Sequence, residues 1–181
     1  MTHLADQKHK LVQLLAGFFR AKRSIQSLQF LCKWQTRGWE KWWQHELAMH
    51  LARSRQIAEW ETEHRVPVAN TGKRGPKHMY FDVAVKFKQH FPSQWFLLEL
   101  KQSEDFRACL RQMKKDMKKF VTSDGEHLQG LGRMAYAGVV PGHEDDDEIK
   151  EYAEDLLEDM GIEKQHITIR HIGKHHKLVV I

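Results

Sequence analysis

MYFDVAVKFKQHFPSQWFLLELK, residues 79–101, contains two apolar runs, and its few charges stand in unusual places. Residues 79–87 and 95–101 each read as a strand, joined through a turn around Phe91, Pro92 and Ser93. Side chains alternate faces along a strand, so Glu99 and Lys101 project from one side of the second run and Phe96, Leu98 and Leu100 from the other. The first run carries one acid, Asp82, framed by Phe81, Val83 and Val85. A run as apolar as 95–101 belongs inside a sheet. A short connection makes the two strands neighbours and brings Asp82 close to Glu99. Two carboxylates held together repel unless a cation or a proton lies between them.

The segments on either side give the remaining elements. Leu11, Leu14, Leu15, Phe18, Ile25, Leu28 and Leu31 fall at helical spacing within the first 35 residues and predict an amphipathic helix or helical pair that packs on the domain or a second subunit. A further helix is expected over 39–58, with Trp43, Leu47, Leu51 and Ala58 on its inner face. The pattern then shifts to period two: Glu59, Glu61 and Glu63 alternate with Trp60, Thr62 and His64 in a strand that Pro67 closes. Residues 70–78, NTGKRGPKH, form a basic loop. After the second apolar strand, residues 104–121 return to helical spacing, with Phe106, Leu110, Met113, Met117 and Phe120 in one stripe. Residues 134–140 read as a strand, 145–160 as an acidic helix ended by Gly161, and 166–172 with 177–181 as a strand pair.

The predicted fold class is therefore α/β (α+β), a central mixed sheet flanked by helices, in one domain over residues 1–181. Within it, 1–38 form an N-terminal helical extension, 39–140 the core, and 141–181 a C-terminal helix and strands.

At 181 residues and 41% hydrophobic content the chain has material for a substantial core. Its net charge of +5 hides a segregation: residues 1–143 hold 24 Lys and Arg against 13 Asp and Glu, while 144–163 hold 11 acids and one lysine. A basic body points to a polyanionic partner, nucleic acid being the natural one. Phosphate contacts are expected from Lys73, Arg74 and Lys77 in the basic loop and from Arg111, Lys114 and Lys118 on the helix after the second strand. Cys32 and Cys109 lie far apart without a CxxC pair, so neither a cysteine zinc site nor a disulfide framework is indicated, and an intracellular, cytoplasmic setting is expected. The 13 histidines lack a zinc-motif context. The apolar stretch at 11–19 is too short to span a bilayer, so no membrane partner is expected.

A hard divalent ion resolves the repulsion between Asp82 and Glu99. Mg²⁺ (or Mn²⁺) prefers oxygen ligands and keeps several waters when only one or two carboxylates bind it. One such water is the expected nucleophile. Lys101 supplies a charge that orients it or helps deprotonate it, and the metal stabilises negative charge growing on a phosphoryl oxygen. These residues are suited to hydrolysing a phosphodiester.

FDVAV (81–85) followed by LLELKQ (97–102) resembles the Asp…Glu-x-Lys signature of the PD-(D/E)xK, or restriction-endonuclease-like, nuclease superfamily. The helix, three-strand, helix, strand order around it is similar to that superfamily's common core, over roughly residues 39–140. Phe81 stands where the superfamily loosely keeps a proline. The resemblance implies a metal-dependent DNA endonuclease with metal bound by Asp82, Glu99 and the backbone carbonyl of Leu100, and with Lys101 as the catalytic lysine. Many members add an acid from the helix preceding the sheet, for which Glu46 is the candidate, and Gln102 occupies a position where some members carry a contributing polar group. A homodimer or larger complex is expected if both strands of a duplex are cut. The alternative is a non-catalytic nucleic-acid-binding or complex-forming module that keeps the nuclease fold.

Overall fold

The structure, a computed structural model, describes residues 3–33, 39–67, 78–88, 95–123, 134–161 and 167–181. The N-terminal apolar stripe folds as a helical pair, α1 (His3–Arg20) and α2 (Lys22–Lys33). They are followed by α3 (Glu40–Arg53), β1 (Ile57–Pro67), β2 (His78–Phe87), β3 (Phe96–Gln102), α4 (Phe106–Ser123), β4 (Met134–Pro141), α5 (Asp146–Glu158), β5 (Thr168–Ile172) and β6 (His176–Val180). Among the described residues the strands form one six-stranded sheet in the order β1-β2-β3-β4-β6-β5. Only β3 and β4, joined across α4, run parallel; the sheet is mainly antiparallel.

The helix expected over 39–58 stops at Arg53, because Ser54 turns extended (φ −77°, ψ 126°). Ala58, expected on the inner face of that helix, lies instead in β1, beside a register shift between Ile57 and Glu59. The helical stripe of Trp43, Leu47 and Leu51 and the period-two pattern beginning at Ile57 overlap in sequence. Pairing of Ile57 with Phe87, both buried, settles the boundary in favour of the strand.

Alternation along β3 divides the core between the two faces of the sheet. Phe96, Leu98 and Leu100 pack with Val83 and Val85 of β2 against Leu11, Leu15 and Phe18 of α1, Leu28 of α2, and Trp43, Leu47 and Leu51 of α3. On the other face, Tyr136 and Val140 of β4 meet the α4 stripe of Phe106, Leu110, Met113 and Met117 and the Ile149, Ala153 and Leu157 stripe of α5. Leu97 joins Phe81 and Ala84 beside Phe120 of α4. The tryptophans at 39, 42 and 43 pack on one another and on Phe18 and Phe19, so they serve the core. Asp145 caps α5, its carboxylate accepting from the N–H groups of Asp147 and Glu148, and Gly161 follows the helix with φ +65°.

Gly138 of β4 sets how closely α4 approaches the sheet. A Cβ there would lie 2.4 Å from Met113 Cε and 2.7 Å from Cys109 Sγ. Gly138→Ala is expected to destabilise the fold by about 1–3 kcal/mol through overpacking, measured as a fall in the urea midpoint. Its parallel partner is Lys101, so the same change displaces α4 where that helix meets the lysine.

Candidate active site

The sheet opens at Asp82. On the β3 side the β2–β3 pairs run Val85↔Phe96, Ala84↔Leu97 and Val83↔Leu98 and then end. An uninterrupted antiparallel ladder would next pair Asp82 with Glu99 and then Phe81 with Leu100; instead the N–H of Leu100 donates to Asp82 Oδ2 at 2.8 Å. On the β1 side the register passes from Thr62↔Val83 to His64↔Phe81, skipping Glu63 and Asp82. Glu63 has φ 53°, a left-handed conformation uncommon for a residue with a side chain. The carbonyl of Asp82 accepts from Gln44 Nε2 of α3 at 2.6 Å. Asp82 is thus held by a side chain from α3 and a backbone amide of β3, at a fork between two strands.

Glu99 and Lys101 project from β3 beside this fork, on the face that α4 covers. Lys101 Nζ lies 2.7 Å from Glu99 Oε1 and 2.9 Å from Asp116 Oδ2 of α4, and Asp116 Oδ1 also accepts from Lys119 at 2.5 Å. Burial raises the Glu99 carboxyl above its ordinary value, and the nearby Asp82 charge adds to the rise. Asp82 is also raised, mainly by burial, against the opposing pull of the Leu100 N–H and the lysines. Burial works to lower Lys101, but hydrogen bonds and charges from Glu99 and Asp116 outweigh it and hold the ammonium well above the ordinary lysine range. Tyr136, paired with Glu99 on β4, is kept protonated by burial and by the carboxylates at 99 and 116.

The α3 side adds Lys41 and Gln44. Lys41 Nζ donates to Gln44 Oε1 at 3.0 Å and to Glu63 Oε1, and the charges of Asp82 and Glu99 reach it as well. Glu46, expected to supply the helix acid, lies outside this group: its carboxylate is paired with Arg23 of α2 at 2.8 Å. Positions 44 and 46 are two residues apart on a helix, close to opposite faces, so only one of them can reach the fork, and it is Gln44. Gln102 is the last residue of β3, on the Leu98–Leu100 face by alternation, and so turns away from Glu99 and Lys101.

Four carboxylates (Glu63, Asp82, Glu99, Asp116) and three ammonium groups (Lys41, Lys101, Lys119) therefore meet at the fork. The donor set facing a cation consists of oxygens alone. Asp82 Oδ2 and Glu99 Oε1 are engaged in the hydrogen bonds above, which leaves one oxygen of each acid. A residue's N–H and C=O leave a strand on the same side, so the Leu100 carbonyl, like its N–H, faces the fork. Two carboxylates and a carbonyl, completed by water, suit Mg²⁺ or Mn²⁺. No group of three or more His, Cys, Asp or Glu side chains in metal-holding geometry occurs among the described residues, so any ion here relies on water and substrate oxygens for the rest of its shell.

The basic residues fall elsewhere than expected. Arg107 pairs with Glu148, Arg111 lies 3.7 Å from Asp105 and 3.4 Å from the Tyr152 hydroxyl, and Lys114 lies 2.8 Å from Asp159. Lys118 is within electrostatic reach of Asp159 too. Of the expected phosphate contacts, Lys114 borders acidic α5, with Arg107 beside it, because the apolar stripes of α4 and α5 bury one another and bring their flanking charges together, while Arg111 and Lys118 stay exposed. Lys73, Arg74 and Lys77 lie outside the described residues.

Asp116, Gln44 and Lys41 belong to no motif in the sequence. Asp116 did leave a signal, as the one acid within the basic helix 106–123, next to the buried Met113 and Met117. No helix among the described residues is long and apolar enough to cross a membrane. Compared with protein-family models, with curated proteins and with solved structures, the chain finds no match.

Proposed function

We propose that this chain is a metal-dependent nuclease, a Mg²⁺- or Mn²⁺-dependent DNA endonuclease that hydrolyses phosphodiester bonds. One observation carries the reading: Asp82, Glu99 and the Leu100 backbone converge at an opened strand fork, with Lys101 fixed beside them. The order α3-β1-β2-β3-α4-β4, with β3 and β4 parallel, supports the resemblance to the PD-(D/E)xK superfamily.

A bound divalent ion would supply a water acidified enough to attack phosphorus and a positive charge for the developing oxyanion. The chain's own residues do the rest. Asp82 and Glu99 would hold the ion, whose charge would offset the cost that burial places on both carboxylates. Lys101, kept as an ammonium by Glu99 and Asp116, orients the attacking water and stabilises phosphoryl charge; it is not the base. Cutting both strands of a duplex calls for two such sites, so a homodimer or larger complex belongs to the proposal.

Incubation with plasmid and with single-stranded DNA tests it. Cleavage in Mg²⁺ or Mn²⁺ that EDTA abolishes and added Mn²⁺ restores is the expected outcome. A chain that binds DNA and cuts neither substrate with either ion is a binding module, and the nuclease assignment fails.

A further inference from the structure

A nuclease must hold a polyanion next to its own carboxylates, and that requires cations at the fork. Part of the basic side of α4 is turned toward α5, where Arg107 pairs with Glu148 and Lys114 with Asp159. Two other lysines border the fork. Lys41 comes from α3, on the sheet face packed by α1–α3, and Lys119 from α4, on the opposite face. Their side chains are 60% and 58% exposed, and each rests on a carboxylate of the site, Glu63 and Asp116 respectively.

Resting on the nuclease reading, we propose that Lys41 and Lys119 are the two cations that take up substrate backbone phosphates, one on each side of the scissile position. Exposed ion pairs contribute little to stability. Each lysine therefore exchanges its carboxylate for a phosphate at small cost, while the half-buried Lys101 stays clasped between Glu99 and Asp116. Gln44 couples the grip to the site, since it accepts from Lys41 and donates to the Asp82 carbonyl. Glu63, held in a left-handed conformation opposite Asp82, is the placeholder that occupies Lys41 until substrate arrives.

Binding of a duplex oligonucleotide in Ca²⁺, which fills oxygen sites without supporting turnover in most Mg²⁺ enzymes, tests the assignment as a function of salt. A lysine that neutralises one phosphate contributes about 0.9 to the slope of log K against log salt. Lys41→Ala and Lys119→Ala should each lower the slope by about that amount and the double variant by about twice it, while Lys41→Arg and Lys22→Ala, the latter at an exposed position of α2, keep the wild-type slope. Glu63→Gln should tighten binding, because Lys41 no longer leaves a carboxylate to reach phosphate. Thermal unfolding verifies that each variant is folded. Wild-type slopes in both alanine variants of a chain that binds and cuts DNA overturn the lysine assignment alone. A wild-type chain that binds no duplex overturns it together with the nuclease reading.

Discussion

Lys101→Met is expected to lower kcat for DNA cleavage by about 10²–10³-fold, the usual effect of deleting one preorganised charge at a developing oxyanion, with a smaller change in KM. The same substitution should cost stability, and the way it does so is diagnostic. It leaves Glu99 and Asp116 facing one another without the ammonium that both contact. Removing one partner of a buried pair costs about 3–5 kcal/mol. These side chains keep 16–21% of their exposure, so the figure is discounted for solvent screening to roughly 1–3 kcal/mol. Without Lys101 the two acids bind protons more tightly folded than unfolded, so the deficit is largest at neutral pH and shrinks as pH falls through the carboxylate range. Urea midpoints at pH 5 and pH 7.5, measured alongside kcat, separate the two effects. A variant that loses the stability and keeps its kcat would make Lys101 a structural ion-pair partner.

Asp82, Glu99 and Lys101 stand out in the sequence, and what arranges them does not. Alternation along 95–101 was sufficient to put Glu99 and Lys101 on one face and Phe96, Leu98 and Leu100 on the other, because a strand buried on both sides leaves little freedom of register. It said nothing of the opening at Asp82. That depends on Gln44 taking a carbonyl from another element and on the left-handed Glu63, and neither has a local signature. The placement of Glu46 failed on helical phase: adjacency to the Trp43 and Leu47 stripe did not distinguish the face toward β2 from the face toward α2. Charge was misleading for a related reason. Counting basic residues over 1–143 and acids over 144–163 shows two opposite surfaces, and a sum along the chain cannot show that α4 and α5 pack these surfaces on each other. Of the three glutamates alternating on β1, Glu63 reaches the site because the strand kinks there, whereas Glu59 pairs with Lys86 and Glu61 with His64.

Asp82→Asn and Asp82→Ala are expected to be equally inactive and unequally stable. Both remove the charge that would hold the ion, worth several kcal/mol in the transition state, or on the order of 10³-fold in rate. An asparagine oxygen can still accept from the Leu100 N–H, as Asp82 Oδ2 does at 2.8 Å. Alanine leaves that amide without its acceptor at the end of the β2–β3 ladder, at a cost of about 1–3 kcal/mol. Metal-free wild type should also carry a pH signature that asparagine erases. Burial raises Asp82 in the folded chain, so the folded form holds this proton more tightly than the unfolded one. The resulting stability is complete below the ordinary aspartate value, about 3.9, and is lost as pH rises through the raised folded value. Above that window Mg²⁺ should restore stability to wild type and to neither variant. Metal-free Asp82→Asn is therefore expected to match or exceed wild type at neutral pH, with a flatter pH profile, while Asp82→Ala falls below both. If Asp82→Asn proves as unstable as Asp82→Ala, the carboxylate's charge holds the fork together, and its place in the sheet is architectural instead of a standing cost kept for catalysis.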